Sequence, residues 1–211
     1  METYIARGIV LKETDVGESN KVLTAFTDAD GKITLSARGA KKPSSKCFAG
    51  AQLFCFSEMN IFKGGTFNRL NNATPIESFY ELRTDLEVLE NAGKVASLTL
   101  KVIQENQPDP ETLRLLLNTY YFMNGRRAHP ELLKSIFMVR LLCVQGFYPE
   151  EDTILRFSHD KEEGIAENTF AAVKHICEAE DEKLFSFNVS DNVRKKLSEV
   201  SEKLVRQYIY E

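Results

Sequence analysis

The residues best placed to do chemistry in this sequence are cations rather than nucleophiles. From Gly31 to Ser57 there is not one Asp or Glu, while Lys32, Arg38, Lys41, Lys42 and Lys46 all fall inside that stretch. Lys21 lies a little upstream. Positive side chains packed together without acids suit phosphate groups, because neutralising the backbone is the main source of affinity for a nucleic acid. Charge alone, however, favours the blander alternative of a solvated basic turn on a protein-interaction scaffold, and the net charge of −4 fits that alternative. The acids collect in the second half, in runs such as Glu150-Glu151-Asp152 and Glu178-Ala179-Glu180-Asp181-Glu182. A basic front and an acidic rear imply two modules with different partners.

Groups for bond-making chemistry do not assemble. The glycine-rich dinucleotide and phosphate loops, Gly-x-Ser-x-Gly and His-Glu-x-x-His are all missing. His129, His159 and His175 stand far apart, without Cys or carboxylate at metal-ligand spacing, and are expected at helix ends or on the surface. Glu18 beside Ser19 is two polar residues in a turn. The four cysteines, Cys47, Cys55, Cys143 and Cys177, form no Cys-x-x-Cys pair and read as buried, reduced thiols. The expectation is a non-catalytic protein.

Composition places the chain among ordinary folded proteins, with 43% apolar and 27% charged residues. No run reaches the ~18 apolar residues of a membrane span, and Met1-Glu2-Thr3-Tyr4 does not open a leader, so the expected location is cytoplasmic. The first eighty or so residues read as short strands bounded by turn chemistry: Tyr4–Lys12, Lys21–Thr27, Lys32–Ala37, Gln52–Phe62 and Thr66–Asn71. Asp28-Ala29-Asp30-Gly31 and Lys63-Gly64-Gly65 supply the links, and a small barrel is the expected product. Phe26, Phe48 and Phe67 could stack on bases, but a barrel needs core aromatics, and the core is the preferred place for them.

Around Pro75 the apolar spacing becomes helical. Leu82, Leu86 and Leu89 are followed, after an interruption at Gly93, by Val95, Leu98, Val102 and Ile103. Pro108-Asp109-Pro110 separates this from a helix running from Glu111 to about Asn124-Gly125. A strongly apolar helix from Pro130 to Gln145 is the expected centre of the helical core, and helices over Ala166–Cys177 and from Ser190 to about Tyr208 follow it. Ser190 or Asp191 is the expected cap of the last one.

Several of these segments resemble the RecO family. The likeness is carried by Gly8-Ile9-Val10-Leu11-Lys12, by Gly17-Glu18-Ser19-Asn20-Lys21-Val22-Leu23-Thr24-Ala25-Phe26-Thr27, by Gly31-Lys32 and by Ala37-Arg38-Gly39-Ala40-Lys41-Lys42-Pro43-Ser44-Ser45. Leu70 to Glu77, Phe79-Tyr80-Glu81-Leu82-Arg83, Leu141-Leu142 through Gly146-Phe147-Tyr148-Pro149, and Lys183-Leu184-Phe185-Ser186-Phe187 extend it along the chain. The resemblance implies an α+β protein with an N-terminal OB-fold β-barrel, residues 1–78, followed by an all-α C-terminal domain, residues 79–211. It implies a nucleoid-associated DNA repair and recombination mediator. Such a protein binds single- and double-stranded DNA, anneals strands and helps load the recombinase onto DNA covered by single-stranded-DNA-binding protein, with RecR as a partner.

On this reading the DNA-binding residues are Lys21, Lys32, Arg38, Lys41, Lys42 and Lys46. The acidic, apolar-ended tail of single-stranded-DNA-binding protein would meet Arg126, Arg127, Lys134 and Arg140 near the central helix. Many relatives carry four zinc-binding cysteines just after the Gly-x-x-Pro turn. Here Tyr148-Pro149-Glu150-Glu151-Asp152-Thr153 stands there instead, so neither a metal nor any other cofactor is expected.

Overall fold

Apolar residues alternate with polar ones in the first segments, and in a strand that period sends them to opposite faces. The computed structural model, which describes residues 3–64 and 68–210, shows what they build. Five strands, β1 (Thr3–Val16), β2 (Asn20–Thr27), β3 (Gly31–Ala37), β4 (Phe56–Phe62) and β5 (Asn68–Glu77), close in the order β1-β2-β3-β5-β4. Closure leaves no open sheet edge, and a five-stranded closed barrel of this kind is an OB-fold. Inside lie Val10, Leu23, Ala25, Ile33, Leu35, Met59, Ile61 and Leu70, with Ala40, Cys47 and Ala51 from the β3–β4 connection packed onto them. Phe26 is fully buried and serves the core.

Element bounds differ from the sequence reading for identifiable reasons. β1 runs on to Val16 because a register shift between Val10 and Lys12 bends it, so that its first half pairs with β4 and its second with β2. Pro75 does not end the sheet: it lies inside β5 opposite Ser57 at another register shift, where a missing amide is tolerated. Gln52–Cys55 belong to the connection before β4. Gly65, Thr66 and Phe67 lie outside the described residues, so the expected start of the last strand and a stacking role for Phe67 stay with the sequence.

Six helices follow, α1 (Leu86–Val102), α2 (Pro110–Asn124), α3 (Pro130–Val144), α4 (Glu151–Ser158), α5 (Ile165–Glu178) and α6 (Asp191–Val205). The expected break at Gly93 is not one: α1 is continuous through it. A Cβ at Gly93 would meet nothing within 4 Å, so Gly93→Ala is expected to stabilise the protein by about 0.5–1 kcal/mol in urea unfolding. α4 has no counterpart in the sequence reading. Its start, Glu151-Asp152, looks like one more acidic run, yet acids in a first turn favour a helix N-terminus. None of the described helices is long and apolar enough to cross a membrane.

The chain forms two compact units that do not follow its order, residues 1–85 with 96–114, and residues 86–95 with 115–211. In the first, residues 104–106 lie along the start of β3: Lys32 N donates to Gln104 O at 3.3 Å and Asn106 N to Lys32 O at 3.2 Å. In the second, α3 is buried almost all round, through Leu132, Leu133, Ile136, Phe137, Val139, Leu141 and Leu142. Ser190 caps α6, accepting from Val193 N.

Candidate nucleic-acid interface

Residues 38–55 join β3 to β4, and their small apolar members fix how the cations are displayed. Ala40, Cys47 and Ala51 face the barrel core, which turns Arg38, Lys42 and Lys46 outward to solvent. Gly39 N donates to Asn20 Oδ1 at 2.9 Å and Lys41 N to Ser19 O at 3.0 Å, tying the segment to the β1–β2 turn. Further on, Ala73 N donates to Lys46 O on the β5 side. The display therefore rests on a rigid scaffold.

The six expected cations do not form one set. Arg38, Lys42 and Lys46 are exposed, and among the described residues no carboxylate pairs with them. Lys41 is a third exposed, and its Nζ stands 2.6 Å from Asp15 Oδ2, holding that carboxyl below the usual carboxylate range. Lys21 has only 8% of its side chain exposed and is bound to Glu13 at 2.8 Å. Lys32 sits at the other end of β3, about 20 Å from Arg38 at the ordinary strand rise, and its Nζ donates to Leu100 O near the C-terminal end of α1. The acid-free stretch of sequence misled at this point, because pairing of β1 with β2 brings Glu13 and Asp15 alongside.

Arg69 was missed. β3 and β5 run parallel with Ser36 opposite Arg69, which places this exposed arginine on the outer surface next to the strand that leads into Arg38. No sequence signal announces that neighbour, since the two strands are thirty or so residues apart and a parallel pairing leaves no hairpin turn to read. Phe48, at 37% exposure, lies within the β3–β4 connection.

In the helical unit Arg126 and Arg127 are exposed at the turn after α2, and the Arg127 guanidinium lies 4.5 Å from the Tyr121 ring centre and donates to Tyr121 OH at 2.9 Å. Lys134 and Arg140 are engaged internally. Lys134 is 2% exposed and donates to Ser198 Oγ and Glu202 Oε1, while Arg140 donates to Cys177 O and Asp181 Oδ1. His129 caps α3, accepting from Glu131 N. Cys143 on α3 and Cys177 on α5 interact: their contact holds the Cys143 thiol below its usual range, while that contact and burial push the Cys177 thiol up. Two thiols do not make a tetrahedral zinc cage, and among the described residues no three His, Cys, Asp or Glu converge as metal ligands. The described residues therefore do not fit the four-thiolate zinc site that the resemblance raises.

A closed OB barrel with exposed cations on one connection, followed by helices, defines the class as an α+β protein with an N-terminal OB-fold domain. The comparisons agree. A family model described as Recombination protein O N terminal matches residues 1–79, and one described as Recombination protein O C terminal matches residues 83–153. The DNA repair protein RecO of Acetivibrio thermocellus is 33% identical over 224 residues, spanning 95% of this chain and 89% of its own. That of Halalkalibacterium halodurans is 40% identical over 147 residues, 70% of this chain but only 58% of its own. That of Clostridium acetobutylicum is 25% identical over 229 residues, 98% and 93% of the two chains. The chain belongs to the RecO family of DNA repair proteins.

Proposed function

We propose that this protein is a recombination mediator that binds single- and double-stranded DNA on its barrel, anneals complementary strands and helps load the recombinase onto DNA covered by single-stranded-DNA-binding protein. The observation that carries the reading is the exposure of Arg38, Lys42 and Lys46 on one anchored connection, without acidic partners among the described residues. Lys41 adds a charge that a phosphate must share with Asp15. A surface that neutralises two backbones lowers their repulsion and raises their encounter rate, which is all that annealing requires. On the helical unit, Arg126 and Arg127 beside the exposed Tyr121 suit an acidic, apolar-ended tail such as that of single-stranded-DNA-binding protein, and RecR is the other expected partner. The site of action is the nucleoid.

The test is binding of a labelled oligonucleotide at several salt concentrations, compared with the triple variant Arg38→Ala, Lys42→Ala, Lys46→Ala. Affinity at low salt is expected to fall at least about tenfold, and the slope of log affinity against log salt to shrink by about 2, from three lost phosphate contacts on a single strand. Equal binding by both proteins would remove these residues from the interface. No binding by the parent protein, even in dilute buffer, would leave the barrel as a protein-interaction scaffold.

A further inference from the structure

The pairing of β5 carries the interface further than the connection alone. Arg69 stands between two neighbours, Ser36 on β3 and Phe62 on β4. Its guanidinium carbon lies 5.3 Å from the Phe62 ring centre, within the range of a cation–π contact. Arg69 is exposed, Phe62 half-buried, and among the described residues no carboxylate or carbonyl takes the Arg69 donors. Arg38 follows Ser36 by two residues, just past the end of β3 at Ala37, so the chain leads directly from the residue opposite Arg69 into the cationic connection. One row further along the outer surface, Asn71 Nδ2 donates to Asn60 Oδ1 at 3.1 Å, and the acid on β4, Glu58, lies beyond that row, opposite Arg7. The neighbouring cation Lys63 differs, because it also faces Tyr4 and Asp30.

We propose that Arg69, in cation–π contact with Phe62, is a base-stacking platform that continues the cationic track of Arg38, Lys42 and Lys46, so that this face takes a single strand with unpaired bases in preference to a duplex. The inference rests on the DNA-binding reading above and adds to it the class of strand. A planar guanidinium beside an aromatic ring can take a base on its face, and its charge lies on the same outer surface as the phosphates that Arg38 would engage. A duplex hides the faces of its bases within the helix and can use only the charges. The occupant is a nucleic acid strand by charge complementarity, since an arginine with open donors is the recurring feature of this surface.

Three probes separate the contributions: a labelled oligothymidine, an abasic oligonucleotide of the same length, and a duplex. The parent protein is expected to bind oligothymidine at least about fivefold more tightly than the abasic strand. Arg69→Lys keeps the charge and loses the planar stack, and Phe62→Leu keeps an apolar side chain and loses the ring. Each is expected to bring oligothymidine affinity down to the abasic level while leaving abasic and duplex affinities unchanged, with thermal unfolding verifying the fold. A parental ratio of oligothymidine to abasic affinity in both variants overturns the platform, and if the triple variant has meanwhile lost binding, the DNA-binding reading survives without it. Failure of the parent protein to bind any probe overturns both.

Discussion

Replacing Gly31 by Ala is expected to destabilise the barrel unit by roughly 3 kcal/mol or more, among the larger effects of a single added methyl group. Two costs coincide there. Gly31 has a φ of +64°, a conformation that charges an L side chain about 1–2 kcal/mol. A Cβ at Gly31 would also stand 1.9 Å from Gln107 O and 2.4 Å from Gln107 C, which are backbone atoms with no rotamer to turn aside. Residues 104–106 would have to leave the start of β3, breaking their hydrogen bonds with Lys32. Gly17→Ala and Gly39→Ala supply the control, because these glycines have φ of +61° and +67° but nothing within 4 Å of the added carbon. Each should cost only the conformational part. Urea unfolding of the three variants decides the matter, and a Gly31 variant no weaker than the Gly39 variant would mean that the close approach to Gln107 contributes nothing.

That contact illustrates what the sequence could and could not disclose. The alternation of Ile33, Leu35 and Ala37 in β3, and the apolar helix from Pro130, are local patterns with one physical outcome, and both were legible. The cap of α6 was narrowed to Ser190 or Asp191, and it is the Ser190 hydroxyl that accepts from an amide three residues on. Features that depend on a distant neighbour were not. Glu13 and Asp15 draw Lys21 and Lys41 out of the free basic set through strand pairing, and Lys32 turns to a carbonyl of α1. Arg69 comes beside β3 only through a parallel pairing, and Cys143 and Cys177 meet across two helices. Gly93 misled in another way. Glycine is a local helix breaker, but the residues flanking it in α1 are packed on both sides and carry the helix through.

Lys134 supplies the second large effect, on the helical unit. Lys134→Ala is expected to cost about 3 kcal/mol, because removing one partner of a buried pair leaves the other poorly compensated and opens space where a long side chain had packed. The Nζ of Lys134 lies 2.9 Å from Ser198 Oγ and 2.8 Å from Glu202 Oε1, joining α3 to α6 from a position 2% exposed. Lys134→Met keeps the aliphatic stem and should cost only about 1 kcal/mol, since Glu202 is about half exposed and can turn to water and to Lys94. Acid separates the two proteins further. Partial burial raises the affinity of Glu202 for a proton, but the hydrogen bond and charge of Lys134 outweigh it and hold the carboxyl below its usual range. A carboxyl lowered in the folded state contributes stability above its unfolded value, about pH 4.3, and loses it as pH falls through the folded value. The gap in unfolding free energy between the parent and Lys134→Met should therefore narrow on acidification below about pH 4. Should Lys134→Ala unfold like the parent while losing a protein partner, the ammonium would be acting at the surface and the internal pair would carry no weight.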